Sequence, residues 1–365
     1  MRVGLISLAR RGGMVHFHIE LFNALNKLIP IVAIISKSAS LPYQSEKAVK
    51  LLVDTGDGVL GTLFNALNPF TWYKLFKILR GSNVDLFHVV APHEWNPILG
   101  LLIKILNKPL IYTIHDPKHH LGIPIYFLIS ESIFRKMPNA MIVLSKQGKE
   151  QLVLDGIPAE KVFYIPLGIY SRFAQMHPLN VSQEKMILFF GRIEPYKGLD
   201  LLLKAMPDVF AGFPDWNLVI AGTGDLSPYQ PYLNHRQIKV INRYISDEEI
   251  ATLMQQSRFL VLPYIEATQS GVIPIAYAFA RPVIATNVGS LGEMVLDGKN
   301  GLLIPPRDHI GLSMAIKSLM SDPLLCESMG KYALEMSQRE WDSENIAHSH
   351  LDVYSNVFRK YGSIE

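Results

Sequence analysis

The residues best suited to chemistry lie in the second half of the chain. In FFGRIEPYKGLDLLLKAM, Phe189 to Met206, a strand-like run ends at Gly191, Arg192 and Lys197 follow five residues apart, and Gly198 opens a helix-like segment. Arginine can grip phosphate oxygens bidentately while lysine serves as a flexible point charge, so this pair at a strand end suits a diphosphate. A solvated basic turn would have the same composition. In LPYIEATQSGVIPIAYAFARPVIAT, Leu262 to Thr286, the apolar run ends at Pro263. After Glu266 the chain turns small and polar through Thr268, Gln269, Ser270 and Gly271, and an apolar helix-like segment begins at Val272. A turn of this kind offers backbone N–H groups and a helix N-terminus to an anion.

Several alternatives are excluded or weakened. AGTGDL, Ala221 to Leu226, lacks the third glycine of a dinucleotide fingerprint, and no G-x-x-x-x-G-K-[ST] loop exists. Asp-x-Asp is absent as well, which argues against a metal-dependent, single-sheet nucleotide-sugar enzyme. A metal-free diphosphate site of Arg, Lys and helix dipoles remains.

In the first half the outstanding cluster is YTIHDPKHHLG, Tyr112 to Gly122. Its three histidines and Asp116 could bind a metal, but their spacing forms no standard pair of ligands and no cysteine assists. His115, at a strand end, reads better as lining a cleft, where it could hydrogen-bond a hydroxyl or phosphate; His119 and His120 read as loop surface. His88 sits within a strand and reads as a satisfied core histidine. His16 and His18 follow Gly12 and Gly13 on a helix, on different faces, so at most one of them can see the cleft. His93 and Glu94 occupy another strand-end loop within reach of a substrate.

The elements that must position these groups alternate. Strand candidates at 2–8, 31–35, 85–90, 109–114, 140–145 and 162–167 are separated by helical stretches, and the pattern restarts after the polar connection RFAQMHPLNVSQEK. The second series runs 186–191, 217–222, 238–242, 258–263, 281–286 and 301–306. Both halves therefore read as parallel, doubly wound α/β sheets, with the site at the carboxyl ends of the strands. The tail from about 308 to 361 reads as helical, packing either on its own domain or back across the first.

A chain of 365 residues suits two domains, and the single cysteine, Cys326, excludes an internal disulfide and points to a cytosolic setting. No apolar run is long enough for a membrane span. Divided at Pro178, the first part carries 19 Lys+Arg against 11 Asp+Glu and the remainder 16 against 21, giving +8 and −5. The basic half should face an anionic partner. Within it, NPFTWYKLFKILRG, Asn68 to Gly81, can gather Trp72, Phe76 and Leu79 on one face beside Lys74, Lys77 and Arg80. That arrangement fits either a helix lying on an anionic membrane or an ordinary surface helix packed on its sheet. Nucleic acid is disfavoured, since the basic residues form no recognised motif.

The motifs, taken in order, carry a resemblance. A Gly-Gly…His after the first strand, TIHDP, VLS…GIP…KVFYIPLGIY, GRIEPYKG, AGTGD and then GV…AYAFARPVIATNVGSLGEMVLDGKNGLLIPP resemble the retaining, nucleotide-sugar-dependent glycosyltransferases of family 4. The resemblance spans nearly the whole chain. It implies the GT-B architecture of two Rossmann-like doubly wound domains facing across a cleft. The acceptor-binding domain would be 1–175, the nucleotide-sugar domain 176–340, and the C-terminal helix 341–365.

It implies further that Arg192 and Lys197 bind the donor diphosphate, that Gly12 and Gly13 form the loop beneath it, and that His115 borders the reacting sugar. The stretch Glu266, Thr268, Gln269, Ser270, Gly271 and Val272 would meet diphosphate and sugar, and Arg243, Tyr244 and Ile245 the nucleobase, largely through backbone groups. His16, His93 and Asp116 are candidate acceptor contacts. By the same resemblance a hexose, with UDP-glucose the commonest donor, passes with retention to a glycan or lipid-linked acceptor, without cofactor or metal, by front-side attack in which the departing phosphate helps deprotonate the acceptor. The setting is cytoplasmic, or peripheral at the inner membrane face.

One departure is evident. Family members carry two glutamates eight positions apart, and anchoring on RPVIAT puts Ala267 and Ile275 in those places. An inactive sugar-nucleotide-binding protein therefore stays open, as does, more remotely, a nicotinamide oxidoreductase.

Overall fold

The computed structural model describes residues 1–362 apart from 11, 40–48, 57, 119–123, 169 and 177–180. The chain forms two compact units, Met1–Pro166 with Ser343–Glu365, and Leu167–Asp342.

In chain order the first unit contains β1 (Val3–Ser7), α1 (Gly13–Leu25), β2 (Ile31–Ser36), β3 (Val49–Val53), α2 (Gly58–Leu67), α3 (Pro69–Gly81), β4 (Leu86–Val89), α4 (Asn96–Ile105), β5 (Leu110–Ile114), α5 (Ile125–Phe134), β6 (Ala140–Val143), α6 (Lys146–Leu154) and β7 (Val162–Tyr164). All strands are parallel, in the order β3-β2-β1-β4-β5-β6-β7. β1 and β2 are buried at every residue because helices cover both faces, which is why they read as unbroken apolar runs. β3 did not read that way: as an edge strand it exposes Lys50 and Leu52, so no buried-type run marks it.

One face of this sheet is covered by α2 to α6, whose inner side chains, among them Leu75, Leu99, Phe134 and Leu152, join a single apolar core. α3 is launched by Asn68, which accepts from the Phe70 N–H, with Pro69 preset for the first turn. Its buried stripe is Leu75 and Leu79, and Trp72 lies 4.8 Å from the Trp95 ring. The face drawn through Trp72, Phe76 and Leu79 is thus turned toward the protein, a correction to the membrane-facing alternative for that stripe.

The second unit contains α7 (Ser171–Met176), β8 (Met186–Phe190), α8 (Leu199–Gly212), β9 (Asn217–Ala221), α9 (Gln230–Leu233), β10 (Ile238–Ile241), α10 (Asp247–Gln256), β11 (Phe259–Leu262), α11 (Val272–Ala278), β12 (Val283–Thr286), α12 (Leu291–Met294), β13 (Gly301–Ile304), α13 (His309–Ser321) and α14 (Pro323–Glu340). Its parallel sheet runs β10-β9-β8-β11-β12-β13, repeating the winding of the first. The units divide at Pro166 rather than at 175 because α7, with Phe173 buried, packs on α10 and α11.

The last helix, α15 (Ser343–Tyr361), belongs to the first unit and lies on α1. Its Tyr354 hydroxyl is 2.7 Å from Nδ1 of the fully buried His88 on β4, whose Nε2 is 2.7 Å from the Thr113 hydroxyl. His350 sits 5.8 Å from the His88 ring and donates from Nδ1 to the Ile346 carbonyl. His88 is the satisfied core histidine that its place in a strand implied. Burial lowers the pKa of His18 on α1 to about 3 and of His350 to about 4; His88 lies well below its ordinary value through burial and then the neighbouring His350, His18 and His115.

Candidate functional site

In each sheet the winding reverses beside the first strand, between β1 and β4 and between β8 and β11. Ligands of open α/β sheets bind at the carboxyl ends of strands flanking such a reversal.

In the second unit that position is occupied by the two loops singled out from sequence. After β8, Arg192 is followed by a single 3-10 turn, Pro195–Lys197, and by Gly198 in the left-handed region at φ 67°. A side chain at Gly198 is barred twice, by that φ and because a Cβ would stand 1.9 Å from the Pro263 carbonyl oxygen. The loops after β8 and β11 therefore touch backbone to backbone, and the Ile265 N–H donates to the Tyr196 carbonyl at 2.7 Å. On its other side the second loop is held from β12: Thr286 donates to the Tyr264 carbonyl and Ser290 to the Thr268 carbonyl. Gly289, at φ 51°, lies so close to Ala267 that a Cβ would meet its carbonyl oxygen at 1.6 Å.

The cations are held differently. Lys197 Nζ stands 3.8 Å from the centroid of the Tyr264 ring and 5.2 Å from that of Tyr196. Tyr264 is fully buried and its hydroxyl is 3.3 Å from Ser270 Oγ, so one ring joins the lysine to the polar loop. Arg192 extends outward with its side chain 69% exposed, within 3.4 Å of the Tyr196 hydroxyl and 3.9 Å of Glu194. Such exposed contacts restrain it little.

Glu266 is exposed, Thr268 and Gln269 are half-buried and Ser270 is buried. The Gln269 Oε1 atom is buried without a hydrogen-bond partner among the described residues. Gly271 precedes α11, which has only seven residues, all buried. So short a helix limits the dipole expected from the sequence, and the donors it offers are local N–H groups. Ile275, at the second glutamate position, is buried within α11.

The segment after β10 is divided. Arg243 pairs with both carboxylate oxygens of Glu249, which is held to a pKa of about 2 by Arg243 and then by the Ser246 N–H, and which also closes the capping box of α10. Ile245 faces the core, and Tyr244 is exposed. The residue missed here is Asn242, whose amide both accepts from the Gly224 N–H and donates to its carbonyl, each at 3.1 Å. It locks the loop after β9 to the loop after β10. No local signal marks it, because the partner is 18 residues away.

In the first unit the strand ends carry histidines. Gly12, at φ 78°, caps α1 and Gly13 begins it; a Cβ on Gly12 would meet nothing within 4 Å, so conformation rather than crowding calls for glycine. His115 is buried and donates from Nε2 to the Val90 carbonyl at 2.8 Å, with Phe17 edge-on at 4.9 Å. That bond leaves Nδ1 as an acceptor, and burial lowers the ring's pKa, keeping it neutral. His93 accepts at Nδ1 from the Trp95 N–H and is lowered to a pKa of about 4, chiefly by burial. His16 and His18, read as placing at most one side chain toward a cleft, are both buried. Asp116 lies in a loop fixed by Arg135, which donates to the carbonyls of Asp116 and Pro117 while paired with buried Glu131; the Tyr112 hydroxyl completes this network. His119 and His120 lie outside the described residues. Among those described, no group of three or more His, Cys, Asp or Glu is placed to hold a metal ion.

Two family models match the chain, one described as Glycosyltransferase Family 4 over residues 11–172 and one described as Glycosyl transferases group 1 over residues 184–322. The chain is similar to an uncharacterized glycosyltransferase of Methanocaldococcus jannaschii, 28% identical over 281 residues covering 74% of this chain and 76% of that protein. It is also similar to the phosphatidyl-myo-inositol mannosyltransferase of Mycobacterium leprae, 24% identical over 98% of this chain and 97% of that one. Among solved structures, Anabaena HepE in complex with UDP and glucose has a TM-score of 0.74 at 18% identity, covering 97% of this chain and 99% of that one, a likeness of fold. One family model falls on each sheet-bearing unit, and the chain is a glycosyltransferase of the GT-B architecture, built from two Rossmann-like domains.

Proposed function

We propose that the protein transfers a hexose from a nucleotide-diphospho-sugar, with UDP as the nucleotide, to a glycan or lipid-linked acceptor with retention of configuration. The observation that carries this reading is the convergence of Arg192, Lys197 and the loop Glu266–Val272 at the sheet reversal of the second unit. Two cations and the N–H groups of this loop are what a diphosphate leaving group needs as its negative charge develops, and no metal is required to supply that charge. Gln269 offers a buried carbonyl oxygen to a sugar hydroxyl. In the first unit, neutral His115 offers Nδ1 to a hydroxyl, and His93 and Asp116 flank the same strand ends as acceptor contacts. UDP and glucose in the Anabaena structure support the donor class, and the mannosyltransferase, which acts on phosphatidyl-myo-inositol, supports a lipid-linked acceptor. With Ile275 buried where a second glutamate would stand, the ribose must be held by other groups, and this favours a second reading, a sugar-nucleotide binder without transfer.

Thermal shifts with UDP-, GDP- and ADP-sugars test the donor. The matching nucleotide at a hundred times its dissociation constant should add about 2.7 kcal/mol to stability. Slow donor hydrolysis without acceptor then separates an enzyme from a binder. No shift with any of the three would refute the donor assignment.

Tyr264 supplies a narrower test. Its ring under Lys197 is a cation–π contact, expected to be worth about 1 kcal/mol. Tyr264→Leu should weaken UDP binding roughly fivefold, measured by calorimetry, while Tyr264→Phe keeps the ring and the affinity. Equal loss in both variants would assign the effect to the hydroxyl and its Ser270 contact instead.

A further inference from the structure

The helical layer α2–α5 has an outer face as unusual as its inner one is ordinary. Its inner side chains share one core with the sheet, and within the layer α2 packs on α3 and α4 packs on α5. Among the described residues, the outer face exposes five large apolar side chains on α2 and α3, three on α4 and four on α5. Phe64, Leu67 and Phe70 are 72–76% exposed, Ile105 61%, and Ile125 and Ile129 69% and 54%. Summed over the layer they present on the order of 1,000 Å² of apolar surface, a large exposed apolar area for one helical layer.

The charges on this layer have one sign. Lys74, Lys77, Arg80 and Lys104 are exposed, and the only carboxylate on the four helices is Glu131, which is buried and paired with Arg135. A second copy meeting this face would bring like charge against like. A surface of anionic headgroups over hydrocarbon matches both features at once.

We propose that the outer face of α2–α5 docks the protein on an anionic lipid bilayer, the apolar side chains entering the headgroup boundary and the four cations pairing with lipid phosphates. No helix among the described residues is long and apolar enough to cross a membrane, so the attachment is lateral. This surface is distinct from the strand ends, and the proposal stands whether or not the donor assignment does.

Vesicle flotation tests it. The protein should float with phosphatidylcholine vesicles containing phosphatidylglycerol, remain behind with phosphatidylcholine alone, and be released by high salt. Lys74→Gln with Lys77→Gln should reduce partitioning roughly twenty-five-fold, at about fivefold per cation. Phe64→Ser with Phe70→Ser should abolish flotation while leaving the melting temperature and sugar-nucleotide binding unchanged, since both rings are already in solvent. Failure to float at low salt, flotation indifferent to lipid charge, or flotation untouched by either pair of substitutions would each overturn the proposal. So would a dimer in solution that the phenylalanine pair dissociates, which would assign the face to a second copy.

Discussion

Arg192→Ala is expected to lower the rate of sugar transfer about a hundredfold, and Lys197→Ala to do the same, each corresponding to roughly 3 kcal/mol of lost transition-state stabilisation. In the proposed reaction the leaving group is a nucleoside diphosphate, so charge on its outer phosphate grows as the glycosidic bond breaks, and a cation at that phosphate acts more strongly in the transition state than before it. Lys197 is poised for this by its place over Tyr264, while Arg192 projects freely from the end of β8. Because Arg192 makes only exposed, long contacts in the folded protein, its removal should change stability by less than about 0.5 kcal/mol. Activity and melting temperature should therefore separate. Steady-state kinetics with a fixed acceptor decides the matter, and wild-type turnover in Arg192→Ala would remove the residue from the mechanism.

The second large effect concerns acid. His18, His88 and His350 are completely buried and neutral in the first unit, with folded pKa values of about 3 for His18, about 4 for His350 and well below the ordinary value for His88. In the unfolded chain each would titrate near 6.5. Below that pH the unfolded state binds protons that the folded state refuses, so stability is fully present above pH 6.5 and is lost as pH falls toward the folded values. Between pH 6.5 and 5.5 each histidine contributes a loss of roughly 1 kcal/mol, about 3 kcal/mol for the three, a large part of an ordinary domain's stability. Glu249, whose lowered pKa acts only below its ordinary 4.5, leaves this window clear. Urea unfolding followed across that interval should show the loss in the first unit, and a profile flat from pH 7 to 5.5 would show that the rings accept protons where they are.

Much of this was legible beforehand, for particular reasons. Strands buried on both faces, such as VGLIS in β1 and MILFF in β8, announce themselves by apolar runs, and their alternation with helices implied parallel winding. The two cations of the GRIEPYKG loop were visible because the chain places them itself. Three other features were not. Edge strand β3 lacks a second covered face and so lacks the signal. In α3 nearly every position is apolar or basic, and periodicity could not say which stripe lies inward; contact with Trp95 decided it. Tyr264 meets Lys197 across 67 residues, between loops that only the sheet's reversal brings together, and no local pattern reports such a meeting.

α15 has a consequence for the order in which the protein is made. The second unit is one uninterrupted segment, whereas the first is completed by the helix that comes after it. As the chain leaves the ribosome, β4 must wait with His88 uncovered until Tyr354 and His350 emerge, and α1 without its neighbour α15. The first unit, made before the second, therefore finishes folding after it, and an interrupted chain can hold a complete second unit beside a first unit that is still open.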